Sequence, residues 1–144
     1  MNFAREVRLH NLQAGFLHTV ENLWNPTREV RRMYSGEVNH ETITGIFEGA
    51  ADFIVRRLCC NGVTLYAYAI DGLTSGADTS EYVIRPITDN LTGSTPAALY
   101  EEALLGNVYN SVADSCKDLD TVARKLVNGF CVILFPGAGA IAFE

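Results

Sequence analysis

From Phe53 to Ile70 the chain is a run of apolar and β-branched residues, broken in the middle by a single Asn61-Gly62 pair. The pair separates Phe53-Ile54-Val55-Arg56-Arg57-Leu58-Cys59-Cys60 from Val63-Thr64-Leu65-Tyr66-Ala67-Tyr68-Ala69-Ile70. Asn-Gly between two such runs predicts a two-residue β-hairpin, because both central positions need positive φ, which these two residues tolerate. The second run is almost continuous in apolar and aromatic residues, which predicts a strand buried on both faces. Asp71-Gly72-Leu73 ends it.

The same pattern assigns the rest of the chain. Phe3, Val7, Phe16, Leu17, Val20 and Trp24 recur at roughly helical spacing and predict a helical arm within residues 1–37, weakened at Gly15 and broken at Asn25-Pro26-Thr27. Ile43, Ile46, Phe47 and Ala50 form an apolar helical face, with Asn39 or Thr42 available as the cap. Asp78 and Glu81 match a capping box for a helix through Tyr82, Val83 and Ile84 that ends or kinks near Pro86. Asp89 to Pro96 reads as a polar loop and Ala97 to Leu105 as a helix. Val108 to Val112 reads as a short strand. A helix opening at Lys117-Asp118-Leu119-Asp120 closes at Asn128-Gly129. Cys131–Phe135 and Ala140–Phe143 read as strands joined by a turn at Pro136-Gly137-Ala138-Gly139. Alternation of this kind predicts an α/β (α+β mixed) fold, a small mixed β-sheet with helices packed on it. Residues 38–144 form the domain and residues 1–37 the arm.

Composition narrows the function classes. A length of 144 residues is one domain, and 48% hydrophobic with 19% charged residues leaves a comparatively apolar surface suited to contact with other protein. The net charge is −6, and the only dense basic run, Arg28 to Arg32, is interrupted by Glu29. Counterion release needs clustered Lys and Arg, so nucleic acid is set aside as a partner. Cys59 and Cys60 are adjacent on a predicted strand and face opposite ways, and all four cysteines read as reduced thiols. No signal-peptide pattern opens the chain, and no apolar run is long enough to span a bilayer. The apolar run ending at Phe143-Glu144 lacks a polar tail, which raises the expectation of an excerpt from a longer protein.

Candidate chemistry is sparse. His10, His18 and His40 have no zinc-ligand spacing and no cysteine pair to complete a site, so no metal is expected and His40 reads as a surface or packed histidine. Gly137-Ala138-Gly139 lacks the third glycine and the following helix of a phosphate cradle and reads as a hairpin turn. No serine sits in a nucleophile elbow. No cofactor and no catalytic group are therefore expected. Asp71, at the end of a buried strand, could meet a ligand at the mouth of the sheet or accept backbone N–H bonds in the turn with Gly72. Asp52 and Arg56 share a strand face about 13 Å apart, so each would pair with a neighbouring element rather than with the other.

One resemblance joins these stretches. Asp52-Phe53-Ile54-Val55-Arg56, Tyr68-Ala69-Ile70-Asp71-Gly72-Leu73 and Ile84-Arg85-Pro86-Ile87 follow one another in order, and Leu126-Val127-Asn128-Gly129-Phe130-Cys131-Val132-Ile133-Leu134 comes later. The set resembles the N-terminal soluble domain of the GerA family, the A subunits of spore germinant receptors, over about Val38 to Phe143. That family has an Asp-x-x-x-Arg strand, a Tyr-Ile-Asp-Gly-Leu strand end, a helix finishing in a basic residue and Pro-Leu, and a glycine that ends a helix before a hairpin. This chain departs from it in the extra residue at Ala69, in Ile87 for leucine, and in Pro136-Gly137 where Asp-Gly is usual.

The resemblance implies a soluble domain on the cytoplasmic (spore core) side of the spore inner membrane. It would precede its own transmembrane region and work with B and C subunits in nutrient signalling. A nutrient ligand and homo-oligomerisation fit the same picture, and the stage V sporulation relative of the A subunit fits equally well. Beside Asp71, Asp52 and Arg56, the resemblance draws attention to Arg85. The competing expectation is a stand-alone α/β ligand-binding protein or enzyme with Asp71 at its site.

Overall fold

The computed structural model describes residues 33–106 and 113–144. The elements run α1 (His40–Ile46), β1 (Phe53–Cys60), β2 (Val63–Ile70), α2 (Gly76–Thr79), a π-helical turn (Ser80–Ile84), α3 (Arg85–Asn90), α4 (Pro96–Leu104), β3 (Ala113–Cys116), α5 (Leu119–Val127), β4 (Cys131–Phe135) and β5 (Gly139–Phe143). The five strands form one sheet in the order β1-β2-β4-β5-β3, with every neighbouring pair antiparallel. Helices pack on it, as the α/β reading expects.

The layers follow from side-chain alternation along the central strands. Cys131, Ile133 and Phe135 of β4 join Leu65 and Ala67 of β2 in a core beneath Val83, Ile87, Leu99 and Ala103 from the α2–α4 side. Val132 and Leu134 join Tyr68 and Ile70 in a second core beneath Ile43 of α1 and Leu119, Val122 and Leu126 of α5. All five β4 residues are buried. A strand covered on both faces has no position to spare for a polar residue, which is why Cys131–Phe135 is uniformly apolar.

Local chemistry fixes the ends. Asn61 (φ 52°) and Gly62 (φ 81°) make the expected two-residue turn, and the Asn61 amide donates to the carbonyls of Leu91 and Gly93, both at 2.9 Å. Asn39 and Thr42 form a reciprocal capping box on α1. Thr95 and Asp118 cap α4 and α5.

Two expectations are corrected. Ser75, not Asp78, caps the helical segment: its hydroxyl accepts from the Asp78 amide at 3.3 Å. The segment also continues through Pro86, so of the expected end or kink there the end does not occur. In a regular helix the proline ring would clash with the carbonyl four residues back. Here the turn just before it is π-helical, with the Arg85 amide donating to the Ser80 carbonyl five residues back. The wider turn admits Pro86, and Ile87 behind it is fully buried.

The expected strand Val108–Val112 and residues 1–32 of the expected arm lie outside the described residues. Met33 to Glu37 are irregular, and the Asp120 carboxylate accepts from the Met33 and Tyr34 amides at 3.0 and 2.9 Å, tying this stretch to the first turn of α5.

Candidate functional site

A cleft opens where β1 and β2 pass under α2 and the π-turn. Arg56 pairs with Ala67 and Ile54 with Ala69 in the β1–β2 register. Alanine at both β2 positions leaves depth beneath the helical segment, and the result is a cleft of 160 Å³. Gly76, Thr79, Ser80 and Ile84 line its helical wall, Asp71 and Thr74 stand at one end, and Cys131 of β4 lies at its base.

Two of the four polar positions picked out in the sequence, Arg56 and Asp71, line this cleft. Arg56 reaches the Ser80 hydroxyl at 3.4 Å, a long bond on an exposed side chain. Asp71 is exposed and its carboxylate makes no hydrogen bond or ion pair among the described residues. Its backbone does the structural work instead: the Asp71 amide donates to the Asp52 carbonyl at 2.8 Å, and the Leu73 and Thr74 amides both return to the Ile70 carbonyl. The carboxylate therefore takes no part in the turn bonds the sequence allowed for it. The cleft thus holds a guanidinium with a long bond to Ser80 and a carboxylate with no partner among the described residues.

Asp52 and Arg85 are elsewhere. Asp52 sits half-buried just ahead of β1, across the sheet end from Asp71. Arg85 lies on the outer face of the helical segment, 3.2 Å from Glu81 and 3.6 Å from Asp89, with two-thirds of its side chain exposed (66%). Such i,i+4 pairs are surface features of a helix and contribute a few tenths of a kcal/mol each.

The end of the cleft is locked by a contact distant in sequence. The Thr74 hydroxyl donates to the Gly129 carbonyl at 2.9 Å. Gly129 has φ +89°, and a Cβ there would stand 2.8 Å from the Leu73 carbonyl oxygen. Only glycine permits both the helix-terminating conformation and this approach. The Asp71-Gly72-Leu73 turn and the α5–β4 junction are thus one unit.

Cys131 does not supply a nucleophile. Burial pushes its thiol up to about 12, so it stays protonated at neutral pH. Burial likewise holds Cys116 near 11 and raises Cys60. All four cysteines are free and only Cys59 is exposed.

On the opposite face of the sheet lies a polar contact within the core that no sequence pattern announces. His40 stacks on Tyr66 with ring centroids 4.0 Å apart, and its Nδ1 lies 2.7 Å from the Tyr68 hydroxyl. Burial, and secondarily Tyr66, raises the Tyr68 phenol above its ordinary range, so it remains a neutral hydrogen-bonding group. The trio anchors the start of α1 to β2, and His40 is a packed histidine. Thr79, Ser80 and Cys131 were also missed as cleft residues, because they reach it from elements whose packing no local pattern announces.

Among the described residues no group of three or more His, Cys, Asp or Glu could hold a metal ion, and no helix is long and apolar enough to cross a membrane. No protein-family model matches the chain, and no curated protein or solved structure matches it either.

Proposed function

We propose that the chain is the N-terminal soluble domain of a GerA-type germinant-receptor A subunit or of its stage V sporulation relative. In this reading it receives or transmits the nutrient signal and contributes to assembly with the B and C subunits at the spore inner membrane. The observation that carries the reading is the contact at Gly129. The stretches that bear the resemblance are far apart in sequence, yet Leu73 of one, with the adjoining Thr74, closes on Gly129 of the other. Asp52 and Arg56 lead into and lie on the strand beside that contact, and Arg85-Pro86 follow the π-turn that roofs the same cleft. An ordered motif set of this kind is expected where spacing is held by mutual contact.

The test is genetic. Sequencing the complete reading frame is expected to find several apolar segments of about 20 residues after Glu144. Deleting the region encoding residues 33–144, with the rest of the frame intact, is expected to abolish nutrient-triggered germination of the spores. A stop codon soon after Glu144 would overturn the receptor reading.

A second reading, a small ligand-binding or enzymatic α/β protein, is favoured by one cleft lined by Arg56, with a long bond to Ser80, and by Asp71, whose carboxylate has no partner among the described residues. Ligand-detected NMR with amino acids and sugars tests it. Saturable binding that disappears in Asp71→Ala with the fold intact supports this reading, and no binding removes it.

A further inference from the structure

Among the described residues strand β1 is a sheet edge guarded only by the charges of Arg56 and Arg57. It is eight residues long, contains no proline and pairs with β2 without a bulge from Phe53↔Ile70 to Cys60↔Val63. Edge strands normally carry a device that stops another chain from adding to them. Among the described residues no strand pairs with the outer edge of β1. Ile54 and Val55, on opposite faces, remain 39% and 41% exposed.

The ladder identifies the groups left over. The Asp71 amide bonds the Asp52 carbonyl, so Asp52/Asp71 is a hydrogen-bonded pair. Antiparallel pairs alternate, so Ile54, Arg56, Leu58 and Cys60 bond inward to β2. Val55, Arg57 and Cys59 therefore direct their amides and carbonyls away from the sheet, as Phe53 does its carbonyl, while the Phe53 amide is taken by the Ala50 carbonyl at 3.3 Å.

Charge decides what can be added. β1 carries Arg56 and Arg57 and no acidic residue, within a chain of net charge −6. A second copy is disfavoured. Two β1 strands joined antiparallel about a two-fold axis normal to the sheet place a residue opposite itself. Near the strand centre that residue is Arg56 or Arg57, and directly opposed like charges are destabilising. An acidic strand meets the same positions favourably. Because Arg56 and Arg57 face opposite sides of the sheet, the matching segment has two adjacent acidic residues flanked by β-branched apolar ones, the latter set against Ile54 and Val55.

We propose that the outer edge of β1 is a docking strand that takes an extended segment of a partner protein, apolar with a central acidic pair, by β-strand addition. This stands on β1 alone and does not depend on the receptor reading.

The test is residue-resolved amide exchange on the 144-residue chain with the peptide Thr-Val-Glu-Glu-Val-Ile-Thr and its Lys-Lys counterpart. In the free protein the Val55, Arg57 and Cys59 amides are expected to exchange quickly while Ile54, Arg56 and Leu58 are protected. The acidic peptide is expected to protect the first set saturably and the lysine peptide to leave it unchanged. Arg57→Glu is expected to weaken the acidic peptide about tenfold or more and to favour the lysine peptide. Val55→Pro removes only an outward N–H and is expected to abolish protection with the fold retained. If that variant unfolds, Arg57→Glu still decides the matter. Outward amides already protected in the free chain, equal binding of both peptides, or no response at β1 at millimolar peptide would each overturn the proposal.

Discussion

The two hairpins of this domain obey the same pairing rules and have opposite surroundings. In β4–β5 nearly every residue from Cys131 to Phe143 outside the turn is buried, and both strands lie inside the sheet. In β1–β2 the inner strand is largely buried, but β1 leaves Ile54 to Arg57 exposed along the sheet margin. The first hairpin exists to be covered. The second is half covered, and the uncovered half borders both the cleft and the outer edge of the sheet among the described residues. Apolar content alone does not separate them, since Phe53-Ile54-Val55 is as apolar as Val132-Ile133-Leu134.

The contrast can be broken by mutation, and urea unfolding measures it. Phe135→Ala is expected to have the largest effect, about 3–5 kcal/mol, because Phe135 is fully buried and packs edge-on against Tyr100. Gly129→Ala comes next. Holding alanine in that left-handed conformation costs roughly 1–2 kcal/mol, and the Leu73 carbonyl must move as well. Tyr68→Phe removes the partner of His40 Nδ1 and is expected to cost about 0.5–1.5 kcal/mol. Val55→Ala, on the exposed strand, is expected to stay within about 0.5 kcal/mol of wild type. A large loss there would mean that β1 is covered after all.

A pH profile sharpens the same division. The Glu102 carboxylate accepts from the Thr92 hydroxyl and from the Thr92 and Gly93 amides, joining α4 to the loop that receives the Asn61 amide. The side-chain bond from Thr92, followed by the backbone bond from Gly93, lowers its pKa. A carboxyl with a depressed folded-state pKa contributes stability that is complete above the ordinary glutamate range and lost as pH falls through the lowered value. Glu102→Gln is therefore expected to remove part of the acid-side slope in unfolding experiments while leaving the profile above neutrality unchanged.

Much of the fold is written in local chemistry. Asn61-Gly62 can serve only as a tight turn between two apolar runs, and Asn128-Gly129 only as a helix end, so both are legible. Ala113-Asp114-Ser115-Cys116 is not legible, because it is a short, polar edge strand made by pairing with β5, and Lys125 closes on Asp114 from another element at 2.7 Å. The site is half legible. Arg56 and Asp71 emerge from their positions on a hairpin, but the cleft they line depends on small residues at Ala67 and Ala69 and on the π-turn above them. Arg85 could have been set aside beforehand, since Glu81 and Asp89 stand four residues to either side of it, the spacing of a solvated helix face.

The π-turn also has a historical consequence. A π-turn holds one residue more than the α-helix around it needs, and Pro86 follows Ser80–Ile84 where that widening is useful. Deleting a residue from Ser80–Ile84 would restore regular helical spacing and bring back the clash the proline now escapes. Losing Pro86 would leave the additional residue without a purpose. The insertion and the proline therefore form a linked pair, and in the descent of this domain they are expected to be gained or lost together.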